Sequence, residues 1–149
     1  MNLSGNLWAL ILAAVSGLLM AVQGALNAAL SKVIGLLETT FVVHVTGTIV
    51  LAIALYGLKM GKGNMSLINQ APWYTYLGGI VGVFIVYLVA SSIPKVGAGN
   101  ATTAIIVGQV LTAVAIDCCG AFGLKQYVFG WQKLVGIAFL AIGAKLLIR

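Results

Sequence analysis

The sequence predicts an all-α integral membrane protein with five transmembrane helices. Three observations carry that prediction. Hydrophobic residues make up 62% of the chain and charged ones only 7%, where a soluble domain carries about 25% charged residues. Five long apolar segments follow one another with short polar links between them. Inside the first four, Asp117 is the one charged side chain.

The first segment, 7–30, exceeds the roughly 20 residues that cross a hydrocarbon core of about 30 Å. Its apolar run is longer than that of a cleavable signal peptide and no basic residue precedes it, so it is expected to stay as a span. At about 100° per residue, Ser16, Met20, Gln23 and Asn27 fall on one stripe, and Gly17, Ala21, Gly24 and Ala28 on the next. Small residues four apart let a second helix approach closely. A polar stripe in hydrocarbon needs a partner or water, because an unpaired amide there costs several kcal/mol.

Residues 31–38 read as a short turn, and 39–58 as the second helix, carrying His44. Residues 59–72 form the longest polar link. The third helix, 73–93, opens on Trp73, Tyr74 and Tyr76, as an interfacial aromatic belt would. Gly78 and Gly82 give it a second close-packing seam. Pro94 to Gly99 reads as a link that no helix runs through, and Asn100 as the cap of a fourth helix over 101–119. A loop with Lys125 and Lys133 leads to a shorter fifth helix, 134–148, in which Lys145 can snorkel. One transmembrane domain over 1–149 is expected.

The net charge of +6 would suggest nucleic acid in a soluble protein. Here the basic residues lie in links and near helix ends, so membrane lipid is the expected partner and nucleic acid is not. Five spans place the termini on opposite sides. Lys59, Lys62, Lys125 and Lys133 then share the N-terminal side, and Lys32, Lys95, Lys145 and Arg149 the other. With no bias, the chain can insert either way round, and two opposed copies would form a ten-helix assembly with inverted symmetry.

Several stretches together carry a family resemblance: Gln23-Gly24-Ala25-Leu26-Asn27, Pro72-Trp73 with Leu77-Gly78-Gly79, Ile93-Pro94-Lys95-Val96-Gly97, and Val107-Gly108-Gln109 followed by Asp117 and Gly120. The pattern resembles the half-size, five-helix YdcZ-like inner-membrane proteins of bacteria, a branch of the drug/metabolite transporter superfamily. The resemblance implies a secondary transporter of exporter type for a small metabolite or drug-like solute, located in the inner membrane. It also implies an antiparallel partner, either a second copy or a paired homologue. Small multidrug exporters of the same superfamily use a glutamate in the first helix to exchange protons for cationic drugs. This first helix has no acid, which separates it from that mechanism.

The expected solute lining is Ser16, Met20, Gln23 and Asn27 on the first helix and Thr102, Gln109 and Thr112 on the fourth; interhelical hydrogen bonding is the alternative role for the first-helix amides. Asp117 is either an intramembrane functional acid or an interfacial residue paired with Lys125 or Lys133. His44 packs in the core, handles a proton, or meets a second histidine of an opposed copy at a metal. Glu38 suits the start of the second helix, and Cys118 and Cys119 read as small buried hydrophobes. No nucleophile–base set, phosphate loop or metal-ligand cluster is present in the sequence, so an enzyme is not expected, nor a cofactor or metal. A passive channel is the alternative to a carrier.

Overall fold

The computed structural model describes residues 3–148. Every regular element among them is helical. The chain divides into two compact units, one up to Pro94 and one from Lys95 onward. The first holds α1 (Leu3–Ile34), α2 (Leu36–Ala52) and nearly all of α3 (Leu77–Val96). The second holds α4 (Ala98–Cys119) and α5 (Trp131–Leu147).

In the first unit α1 packs against α2. The buried positions are small or polar: Gly24, Asn27 and Ala28 on α1, Thr39 and Thr40 on α2, Ala90 on α3. Large apolar side chains such as Leu10, Leu18, Leu26, Phe41 and Phe84 point outward. That inversion follows from the solvent. Lipid tails are as apolar as leucine, so burying leucine gains little and close backbone approach gains more. In the second unit α4 packs against α5, and Ala101 and Ala144 are buried.

The expected 31–38 turn is a single residue. α1 continues to Ile34, and Gly35 alone separates it from α2, with φ 98° and ψ 162°. The expected Pro94–Gly99 link is also one residue, Gly97, with φ 84° and ψ 157°. Contrary to expectation, α3 runs through Pro94. Proline removes one N–H, and so near the helix end that costs one intrahelical bond, with only Lys95 and Val96 still to come. Asn100 is not the cap of α4 but lies inside its first turn; Gly97 holds the cap position and its carbonyl accepts from Ala101 N at 3.1 Å. The Gly35 carbonyl does the same for Thr39 N, also at 3.1 Å. Both joints occupy a backbone region open essentially to glycine alone.

α2 ends in a π-helical turn, Ile53–Gly57, where Leu58 N donates to Ile53 O at 2.8 Å. The long polar link contains a 3₁₀ turn, Met65–Gln70, and a second, Trp73–Tyr76, precedes α3. The Tyr76 hydroxyl donates to the Ile68 carbonyl and ties the two together. Trp73 and Tyr74 meet edge-on at 6.3 Å, and Trp73 is exposed, as a belt residue should be.

Among the described residues, four helical stretches are long and apolar enough to cross a membrane: Asn6–Ile34, Leu36–Gly57, Trp73–Val96 and Ala98–Cys119. The expected fifth helix is present but starts earlier and has 17 residues, with Lys133 and Lys145 within it. At 1.5 Å per residue it measures about 25 Å, short of the roughly 30 Å core.

The Gly35 and Gly97 joints generate a prediction. Gly97→Ala adds a Cβ that meets nothing within 4 Å, so its effect isolates backbone strain. It should destabilise the protein by about 1–3 kcal/mol. Gly99→Ala, also in open space but helical, should be neutral or stabilising by up to about 1 kcal/mol. Thermal unfolding of both variants in one detergent checks the pair; equal melting temperatures would refute the strain assignment.

Candidate transport site

The polar stripe of α1 changes character along its length. Ser16, Met20 and Gln23 are exposed, and the Ser16 hydroxyl donates to the carbonyl of Ala13 at 2.7 Å. One turn beyond Gln23, Asn27 is only 6% exposed. The two amides therefore sit in different surroundings, one on an uncovered face and one in the packed seam.

That seam is closest at Gly24. A Cβ there would lie 3.0 Å from Val89 Cγ1 and 3.1 Å from Ile93 Cδ1, both on α3. Ala28 is buried on the same stripe, whereas Gly17 and Ala21 are exposed. Nothing lies within 4 Å of the Cβ position of Gly17 or of Gly78, and at Gly82 the nearest atom is Nε2 of His44, 3.8 Å away. The small stripe of α1 thus closes at its C-terminal half and stays open at the other.

Across the joint, two threonines that carry little signal in the sequence belong to the same core. Thr39 is fully buried and its Oγ1 has no hydrogen-bond partner. Thr40 is buried as well, and its hydroxyl donates to Leu36 O at 2.8 Å. Their burial was readable only from the helix pairing, since paired threonines at the start of an apolar segment look like ordinary helix-start residues. The Glu38 carboxylate occupies the space a Gly35 side chain would take.

His44, half-buried, has Nδ1 2.7 Å from Thr40 O, one turn earlier. A carbonyl can only accept, so Nδ1 carries the proton and the neutral ring has a free lone pair on Nε2. That nitrogen faces α3 at Gly82.

In the second unit Thr102 is half-buried, and Gln109 and Thr112 are exposed. Asp117, in the last turn of α4, pairs with Lys133 of α5, Oδ2 to Nζ at 3.6 Å. The loop between them folds back onto the same end. Tyr127 N donates to Asp117 O at 2.9 Å, and Gln126 Nε2 to Cys118 O at 2.7 Å. The ammonium groups of Lys125 and Lys133 lie 5.6 and 5.8 Å from the Tyr127 ring centre. The pairing expected of Asp117 with Lys125 or Lys133 is present with Lys133. The Asp117 side chain is 44% exposed and that of Lys133 35%, so the pair contributes at most about 1 kcal/mol.

Gly24→Leu should break the α1–α3 contact and cost at least about 1–3 kcal/mol through overpacking. Gly17→Leu, with open space around it, should cost less than half as much. Asp117→Asn should stay within about 1 kcal/mol of the parent. Urea or thermal unfolding in lipid–detergent micelles ranks the three, and a Gly17→Leu loss equal to that of Gly24→Leu would show that the open half of the stripe also packs.

Comparison with known proteins agrees with this helical, membrane-spanning arrangement. The family described as "Putative inner membrane exporter, YdcZ" matches residues 8–146. The inner membrane protein YdcZ of Escherichia coli (strain K12) is 26% identical over 103 residues, which is 68% of either chain. No solved structure matches. An exporter is not a class of enzyme, and the match points to transport. With nearly its whole length covered, the chain belongs to the YdcZ family of inner-membrane proteins.

Proposed function

We propose that the protein is a half-size secondary transporter that exports a small metabolite or drug-like solute by alternating access, as an antiparallel pair of copies. The observation that carries the reading is the uncovered face of α1, where Met20 and Gln23 are exposed on a helix that is otherwise hydrocarbon-compatible. An amide left facing lipid would cost several kcal/mol. A solute path or the face of a second copy removes that cost. Family membership supplies the transport class.

In this reading α5 is the fifth span. Seventeen residues is the lower limit for crossing a bilayer, and Lys133 and Lys145, near its two ends, can snorkel to opposite interfaces. The termini then lie on opposite sides and four basic residues fall on each. Equal numbers leave the insertion machinery without a preference. Two opposed copies give the inverted symmetry on which alternating access is commonly built.

Two measurements test this. After Cys118 and Cys119 are replaced by alanine, Lys59→Cys should react with an impermeant maleimide partly from each side of the membrane. Reaction from one side only would remove the antiparallel homodimer. Separately, a thermal-shift screen of metabolites and drug-like compounds supplies a solute, and proteoliposomes should then show saturable uptake with counterflow of the unlabelled compound. Flux without saturation or counterflow would identify a channel instead. Gln23→Leu should lower the counterflow rate about tenfold, the equivalent of one lost hydrogen bond of about 1.4 kcal/mol, while leaving the melting temperature unchanged.

A further inference from the structure

We infer that His44 is the protein's intramembrane proton-binding site, taking a proton on Nε2 in the gap beside Gly82, so that the ion coupled to transport is a proton. The coupling half of this inference rests on the transporter reading; the protonation half does not.

Three observations meet at this residue. The Nδ1 hydrogen bond to Thr40 O, at 2.7 Å, fixes which nitrogen of the neutral ring is basic. The basic nitrogen, Nε2, faces α3 at a glycine, 3.8 Å from the Cβ position of Gly82. Half-buried, the ring is neither sealed in the seam nor free in solvent. A proton arriving from water enters the Nε2 lone pair while Nδ1–H stays on the Thr40 carbonyl. The ring becomes an imidazolium with one added positive charge and no bond to the protein broken.

The surroundings leave this role to His44. On α2 the nearest titratable side chain before it is Glu38, six residues earlier, whose carboxylate lies over the Gly35 joint. The next one after it is Tyr56, in the π-helical turn. α1, packed against α2, carries no titratable side chain from Leu3 to Ser31, and Lys32 lies at its last turn. α3 carries Tyr87 and, in its last turn, Lys95; Tyr74 and Tyr76 precede it. The one acid inside an apolar segment, Asp117, is paired with Lys133. Within the first unit no carboxylate is placed to hold an imidazolium permanently, which is what a site that must release its proton needs.

The chain has one histidine, so full-length protein labelled with ¹⁵N-histidine in lipid nanodiscs gives a single pair of ring signals. The probe is the proton itself, varied by pH. At alkaline pH the spectrum should show the Nδ1–H tautomer. On acidification the Nε2 signal should move to that of an imidazolium. Gly82→Val, which sets methyl groups against Nε2, should alter that signal, and Gly78→Val, whose position meets nothing, should not. An Nε2–H tautomer, an Nε2 signal that stays fixed through the titration, or one indifferent to Gly82→Val would overturn the site. If His44 titrates as expected while proteoliposomes carry no solute, the transporter reading fails and the proton site stands. If counterflow is present but a pH gradient drives no net solute movement, the coupling fails.

Discussion

The first unit is held by the close packing of α1 against α2 and, at Gly24, against the Val89 and Ile93 side chains of α3. A membrane gives helices no hydrophobic reason to associate, so contact must come from surfaces that fit closely. With only hydrogen on its Cα, Gly24 lets the Val89 and Ile93 side chains come to about 3 Å from where a Cβ would stand. Ala28 and Ala90, both buried, extend the same small-residue packing. Because the seam is narrow, the polar groups that enter it, Asn27 and Thr39, are enclosed by neighbouring helices and not by lipid. Their burial is a consequence of the packing and not a separate feature. The uncovered N-terminal half of α1 is equally a consequence, since nothing in the first unit reaches Gly17.

The single-glycine joints serve the same end. A longer loop at residue 35 would let α2 drift along α1. One residue in an extended, positive-φ conformation reverses the helical path with no slack, and the backbone bonds from Ser31 O to Gly35 N and from Gly35 O to Thr39 N keep it hydrogen-bonded throughout. At Gly97, with φ 84° and ψ 157°, the carbonyl likewise accepts from Ala101 N at 3.1 Å. A joint of one residue at Gly35 leaves no slack between α1 and α2.

The apolar segments were legible because hydropathy over some twenty residues is a strong, local signal. Each joint was misjudged for one physical reason. Gly35 and Gly97 were read as parts of multi-residue turns because Lys32, Glu38, Pro94 and Asn100 are residues that usually interrupt or cap helices. In the structure those residues are simply absorbed into helix ends, where a missing N–H or a charge costs little. The short fifth helix was legible over 134–148, but its start at Trp131 was not, because Lys133 breaks the apolar run. For the site, periodicity put Gln23 and Asn27 on one stripe beside the Gly24 stripe, but Asn27 is buried together with Gly24 and Ala28. Periodicity could not say that the stripe changes from open to covered between those two amides, because that depends on where α3 crosses. The partner of Asp117 was foreseeable from charge alone, and Lys133 was one of the two lysines within reach. The orientation of the His44 ring was not, since it rests on one hydrogen bond to a backbone carbonyl.

The chemistry available to the first unit is set by the charges it lacks. Its α1 offers amide, hydroxyl and thioether groups and no ionisable one along the membrane interior. A neutral wall of that kind has no net attraction for a cation or an anion. In the transporter reading it would discriminate by shape and by hydrogen bonds, which reject a solute lacking the right donor or acceptor because its partner is then left unpaired. A buried glutamate, as in the small multidrug exporters, joins solute binding and proton binding in one group, so each displaces the other. Here the amide of Gln23 and the imidazole of His44 lie on different helices, and neither carries out the other's chemistry. In the transporter reading, solute and proton would then occupy separate places, and their exchange would have to be linked through helix movement and not through competition for one side chain. The α2–α3 approach at His44 and Gly82 and the α1–α3 contact at Gly24 share α3, so in that reading α3 would be the element that links the two.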